Sequence, residues 1–224
     1  MEKIDIYLSL EDIKLKILSK NNLVEASEIL KNDGILAFPT ETVYGLGIVA
    51  DKLENYNRLV KVKNRTPDKP FTLMFSNLNQ VSKYLDLDET SKKLIEKFMP
   101  GPITLVLKTK DKKEDMNSKK DTVPSYLDLN TGLIGIRMPD DKFVLNLIDK
   151  VSKPLLVPSC NKSGDEPCKN TDEVLKVFNN EIEAVIDGEC ANGIPSTVVK
   201  IENGKIKILR EGQIKEDEIL RSIK

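Results

Sequence analysis

The sequence predicts an α/β protein built on a twisted, mixed or open sheet with helices packed around it. Short apolar runs of strand character recur along the 224 residues, and segments of helical periodicity are interleaved with them. Prolines, glycines and capping residues mark the joints. Apolar residues make up 39% and charged residues 32%, the balance of a globular chain rather than a disordered one. At this length, one domain spanning 1–224 is the default expectation.

Ile4 to Leu8 alternates with period two and reads as an edge strand. Leu23, Ala26, Ile29 and Leu30 recur at helical spacing, Gly34 supplies a stop, and a buried strand from Ile35 to Phe38 follows. Pro39, Gly45 and Gly47 break that strand into a turn. Asp51 and Glu54 then resemble a capping pair opening a helix through Leu59 or Val60. The next strand is Phe71 to Phe75. Asp88 caps a helix running through Leu94 and Phe98, which Pro100-Gly101-Pro102 ends before the strand Ile103 to Leu107. Lys108 to Lys120 is rich in Lys, Asp and Glu and reads as a solvated loop. Strands recur at Leu133 to Met138, Leu155 to Val157, Ala184 to Ile186, Thr197 to Ile201 and Ile206 to Leu209. Helices fall near Asp141 to Val151 and Thr171 to Phe178, with a short terminal one from Lys215 to Ile223.

Composition removes several kinds of chemistry. The absence of histidine excludes Ser-His-Asp and Cys-His nucleophilic machinery and every histidine-containing zinc site. Cys160, Cys168 and Cys190 show no C-x-x-C spacing and are odd in number, which fits a reducing compartment. Cys160, without a His or Cys partner at catalytic spacing, reads as a small packing residue. No metal site is expected from them. No apolar run approaches the roughly 20 residues that span a bilayer, and the first residues lack a signal-peptide core, so a cytoplasmic protein without membrane contact is expected. With 35 basic and 36 acidic side chains, an anion site must be local.

Six segments stand out against this background. Phe38 to Gly47 places Thr40, Glu41, Thr42 and Tyr44 just beyond a buried strand, where ligands of open α/β sheets tend to sit. An ordinary tight turn uses the same residue types, and spacing does not choose between them. KVKNRTPDKP concentrates Lys61, Lys63, Arg65 and Lys69, a combination that suits polyphosphate oxygens as well as a solvated loop. No G-x-x-x-x-G-K-[ST] or G-x-G-x-x-G pattern is present. In GIRMPD, Arg137 leaves an apolar strand just before a proline, which suits either a carboxylate ligand or a structural salt bridge. VPSCNKSG ends a strand in Ser159, Asn161 and Ser163, and the last segments place Ser196 and Arg210 at strand ends.

Taken in order, PTETVYGLG, K-x-R followed by KP, PGPITLVL, GIRMPD, SCNKSG, STVV and LREG resemble the successive motifs of the YrdC-like threonylcarbamoyl-AMP synthase family, over about residues 21–214. The resemblance implies a twisted sheet around a concave, positively lined cavity. It also implies a reaction joining L-threonine, bicarbonate and ATP into threonylcarbamoyl-AMP and pyrophosphate, for modification of tRNA through a downstream threonylcarbamoyl-transfer complex. By the matching motifs, Lys63, Arg65 and Lys69 would contact ATP phosphates, with Ser159, Asn161 and Arg210 completing the nucleotide site. Thr42, Arg137 and Ser196 would hold threonine, with Thr40 and Tyr44 as close candidates. Magnesium is expected to arrive with the polyphosphate. Some members carry histidines where this chain has Met74 and Asp141. Two other functions stand beside the synthase. An RNA-binding or ribosome-maturation module is disfavoured by near-neutral charge and 5% aromatics, leaving at most weak RNA contact. A carbamoyl-adenylating domain, as found in larger maturation proteins, is the other.

Overall fold

In the computed structural model, which describes residues 15–66, 71–110, 123–191 and 193–223, ten strands form one sheet. The strands are β1 (Lys16–Leu18), β2 (Leu36–Phe38), β3 (Gly45–Val49), β4 (Thr72–Met74), β5 (Ile103–Lys108), β6 (Leu133–Arg137), β7 (Leu155–Leu156), β8 (Ala184–Ile186), β9 (Thr197–Glu202) and β10 (Lys205–Arg210). They lie in the order β1-β8-β2-β3-β7-β4-β6-β5-β9-β10. Parallel pairs (β1/β8, β2/β8, β4/β6, β5/β9) are interspersed with antiparallel ones, so the mixed sheet read from the sequence is present. The helices are α1 (Leu23–Lys31), α2 (Leu53–Val62), α3 (Leu78–Tyr84), α4 (Glu89–Phe98), α5 (Ser125–Asp128), α6 (Lys142–Val151), α7 (Thr171–Phe178) and α8 (Glu216–Ser222). Among the described residues no helix is long and apolar enough to cross a membrane.

The capping read at Asp88 is made, its carboxylate accepting from Ser91 N at 2.7 Å, and Asp141 likewise accepts from Phe143 N and Val144 N to start α6. The Asp51/Glu54 pair is not: Lys52 is the residue preceding α2, and Asp51 is drawn to Lys153 instead. Gly34 does not stop α1 by a left-handed turn. Asp33 takes that conformation, with φ 65°, while Gly34 is needed for space, since a Cβ there would lie 2.6 Å from Ile29 Cγ2. The turn read from Pro39 to Gly47 ends early, because Gly45 opens β3, which pairs antiparallel with β2. A Cβ at Gly45 would lie 2.5 Å from Val157 Cγ1 and one at Gly47 2.6 Å from the Phe38 ring, so these glycines serve close packing inside a strand. The Ile4–Leu8 strand lies outside the described residues, as does the charged segment from 111 onward.

Period-two alternation sends the two faces of the sheet to different surroundings. One face, with Leu73, Leu105, Ile134, Ile136, Val199 and Ile201, joins α2, α4, α7 and α8 in the larger core. On the other, Leu36, Phe38, Leu155, Ala184 and Ile186 are covered by α1 and α6, whose Leu30, Val144, Leu147 and Ile148 are fully buried. That second cluster takes in no residue of β5, β6, β9 or β10. Half of one sheet face is therefore left without a helix over it.

The segment after β10 is held against the start of β9. Thr197 Oγ1 donates to Ile214 O and accepts from Gly212 N at 2.9 Å. A Cβ on Gly212 would lie 2.2 Å from Pro195 O and 2.7 Å from Ser196 C and Thr197 N, all backbone atoms that cannot swing aside. Gly212→Ala is expected to lower stability by about 3 kcal/mol in urea unfolding, the upper end for overpacking at a rigid site; a loss under about 0.5 kcal/mol would contradict this packing.

Candidate active site

The uncovered half-face is the floor of a cavity of about 530 Å³. Alternate residues of four strands line it: Thr72 and Met74 on β4, Leu133, Gly135 and Arg137 on β6, Thr104 and Val106 on β5, Val198 and Lys200 on β9. The register sets these side by side, Thr72 with Gly135, Gly135 with Val106, and Val106 with Lys200. Around the rim stand Thr42, Arg65, Ser159, Ser196 and Arg210. Four cations, Arg65, Arg137, Lys200 and Arg210, line the cavity among the described residues, with no carboxylate in the lining. A larger depression of about 870 Å³ adjoins it beyond Thr131 and Leu133, but Asp86, Asp88, Glu89 and Glu202 outnumber its one lysine, Lys108, so its charge does not suit a polyanion.

Arg210 reaches the cavity through a bulge. Ile208 pairs with Val199 and Arg210 with Val198, so Leu209 is an extra residue in β10 and Arg210 stays on the cavity side with Val198. Its guanidinium donates to Ser196 O from Nε (3.2 Å) and Nη2 (2.9 Å). Burial, and then the neighbouring Arg137, shift its proton affinity downward, as expected of cations gathered for an anion. Ser196 is nearly buried, its Oγ 2.8 Å from Thr104 Oγ1. Arg65 stacks over the Phe71 ring at 4.7 Å.

Thr40 and Thr42 separate into different roles. The Thr40 hydroxyl donates to Val43 O at 2.8 Å and accepts from Thr42 N at 3.1 Å. Its one proton is thus used, and the 2.9 Å contact between the two hydroxyls makes Thr42 the donor. Thr40 therefore shapes the turn, while Thr42, at the cavity wall, keeps its oxygen lone pairs unspent on Thr40. Tyr44 is placed away from the cavity. Its fully buried hydroxyl lies 2.8 Å from Gly188 O and 2.9 Å from Ile186 O, and burial raises its pKa far above the ordinary value.

Lys63 and Asn161 are also placed differently from a direct phosphate contact. Lys63 is 1% exposed, and its ammonium donates to Ser159 O, to Asn161 O at 2.8 Å and to Asn161 Oδ1 at 3.1 Å. Asn161 spends its amide donors on Lys162 O and Asp165 O, and its Oδ1 also accepts from Ser159 Oγ at 2.6 Å. In return Lys162 Nζ donates to Val62 O at 2.7 Å and Ser163 N to Lys63 O at 2.8 Å. The carbonyls at the end of α2 are thus capped by the loop, and the loop carbonyls by the helix lysine, a crossed clasp that fixes Arg65 and Ser159 relative to each other. Lys69 lies outside the described residues. Cys160, without exposed surface and with burial pushing its thiol up, is a core residue. The lining residues Thr104 and Lys200 were missed in the sequence, although alternation along ITLVLK and TVVKIE marks them as facing away from the core.

A family model for Sua5/YciO/YrdC proteins, described as telomere recombination, matches residues 28–212. The chain belongs to this family. Among Sua5/YciO/YrdC relatives, a putative threonylcarbamoyl-AMP synthase of Methanocaldococcus jannaschii is 33% identical over 90% of this chain and 93% of its own. The threonylcarbamoyl-AMP synthase of Pyrococcus abyssi is 31% identical over 88% of this chain, which spans only 56% of that longer protein. The structure of P. abyssi Sua5 complexed with L-threonine aligns at 29% identity with a TM-score of 0.83, over 93% of this chain and 60% of the other.

Burial holds Lys63 at a pKa of about 8, below its ordinary 10.5. The unfolded chain then binds more protons between those values, so stability rises with pH across that window, and the cost of the buried charge is felt in full below about pH 8. Relative to Lys63→Met, the wild-type unfolding free energy is expected to climb by about 2–3 kcal/mol between pH 7.5 and 10, measured in urea; parallel pH profiles would contradict the assignment.

Proposed function

We propose that this protein is an L-threonylcarbamoyladenylate synthase. The observation that carries the reading is the cavity itself: hydroxyls from Thr42, Thr104 and Ser196 beside Arg137 at one part, and cations Arg65 and Arg210 with Ser159 around it, on a sheet that aligns with a threonine-complexed relative. The threonine carboxylate meets Arg137, and its polar groups meet Thr42 and Ser196. Arg65 and Arg210 take the phosphates of ATP, with Lys69 as a further candidate and Ser159 joining them when its hydroxyl proton turns from Asn161 Oδ1 to a phosphate oxygen. Lys63 and Asn161 hold the loop that presents Ser159. Thr40 and Tyr44 hold the turn that presents Thr42.

The chemistry asks for alignment and charge neutralisation more than for proton transfer by a strong base. The neutral amine of threonine forms a C–N bond to the carbon of bicarbonate and water leaves, giving a carbamate. A carbamate oxygen then attacks the α-phosphorus of ATP, the bond to the bridging oxygen of the β-phosphate breaks, and pyrophosphate departs. No step needs an imidazole. Arg65 and Arg210 would neutralise the triphosphate together with the magnesium expected to arrive bound to ATP, which would supply further charge stabilisation. The mixed anhydride is a substrate for transfer to tRNA by a separate complex.

Pyrophosphate release followed with each substrate omitted in turn tests the reading: release is expected to need threonine, bicarbonate and ATP together, and threonine-independent release would defeat it. Within that assay Arg65→Ala is expected to raise the KM for ATP by about 10- to 100-fold, and Arg137→Ala to raise the KM for threonine by a similar factor. Equal effects of either variant on both substrates would contradict the division of the cavity.

A further inference from the structure

Arg137 is 5% exposed and faces a partly buried carboxylate. Its Nη2 lies 2.7 Å from Glu41 Oε1, and its Nε donates to Gly101 O at 3.3 Å. The approach to Glu41 is close but not along an N–H direction, for among the described residues Arg137 Nη2 and Glu41 Oε2 are the buried side-chain atoms without a hydrogen-bond partner. Glu41 is held from two further sides. Its Oε1 accepts from Asp140 N at 3.0 Å, and its carbonyl from Gln213 Nε2 at 3.4 Å. The Glu41 side chain thus joins the turn that carries Thr42 to the end of β6 that carries Arg137, and its backbone carbonyl ties the same turn to the segment that follows Arg210.

We infer that Glu41 is a positioning residue for the amino-acid end of the site, fixing the orientation of the Arg137 guanidinium against the turn that presents Thr42. The inference rests on the synthase reading. An arginine in this place has two like-charged or polar claims on it, Arg210 beside it and a ligand carboxylate to come. Without an internal anion its plane is free to turn towards any acceptor. Gly101 O accepts from Nε and the Glu41 carboxylate lies against Nη2, which leaves Nη1 to meet the ligand. Because Glu41 does not line the cavity, it acts through Arg137 and does not touch substrate.

The test compares Glu41→Gln, which keeps an oxygen for Asp140 N but loses the charge, with Glu41→Asp, which keeps the charge and withdraws it by one methylene. Threonine binding by calorimetry and steady-state pyrophosphate release are measured on each. Glu41→Gln is expected to weaken threonine binding and raise its KM by about 10-fold or more while leaving the KM for ATP within twofold, with Glu41→Asp falling between it and wild type. Threonine affinity unchanged in Glu41→Gln, or threonine and ATP constants that shift together, would overturn the inference. If Glu41→Gln fails to fold, the Asp variant alone carries the test, since a threonine-only effect there is still required. Wild type that neither binds threonine nor releases pyrophosphate with it would instead sink the synthase reading, a result separate from the ratio between variants.

Discussion

A sheet of ten strands has two faces to bury, and in this protein helices cover only one of them across its width. The helices α1 and α6 close the second face from β1 across to β7, reach Met74 at the end of β4, and stop there. Everything else about the site follows from that shortfall. Residues on β4, β6, β5 and β9 that would have been Leu or Ile under a helix are instead Thr72, Arg137, Thr104 and Lys200, while their neighbours one position away are the Leu, Ile and Val of the opposite core. The same period-two rule that builds the core also delivers a polar floor. No loop has to be folded into place to make it.

Rigidity is then supplied at the rim by interactions whose partners sit far apart in the chain. The clasp between Lys63 and the Ser159–Asn161 loop joins the end of α2 to the strand-end after β7. The Thr197 hydroxyl pins the segment after β10, and the Glu41–Arg137 pair ties the turn after β2 to the end of β6. Each contact is partly or wholly buried, where an unmet polar group is costly, so each tends to persist without ligand. The rim is therefore held in place before any ligand arrives, which suits the proposed chemistry, dependent as it is on alignment.

Much of the fold could be read from the residues, and the misses have local causes. Strands with long apolar runs, such as ITLVL and LIGIR, and helices opened by Asp88 and Asp141 are legible because periodicity and a cap agree. β3 was read as a turn because its glycines look like turn residues until the Val157 and Phe38 side chains that require them are in place. β1 and α5, of three and four residues, are too short to show a period. At the site, the ordered motifs found Thr42, Arg65, Arg137, Ser159, Ser196 and Arg210, all of which line the cavity. They could not tell a lysine that touches ligand from one that clamps a loop, since both are polar, flanked by apolar sequence and close to a strand end. Only the acceptors around Lys63 distinguish the two. Lys200 escaped for the opposite reason, a single charge inside a strand with no motif to draw notice.

The extra residue in β10 carries a consequence for how such a site tolerates change. In a regular ladder Arg210 would alternate to the core side with Ile206 and Ile208, and Leu209 would stand opposite Val198. The cation at the rim thus depends on reading frame within one short edge strand and not on residue identity alone. Lengthening that strand by one residue, with the bulge kept, would leave every amino acid that the family motif specifies and still turn its charge inward. Substitution scans and sequence comparisons are blind to this kind of lesion; length changes at sheet edges reveal it.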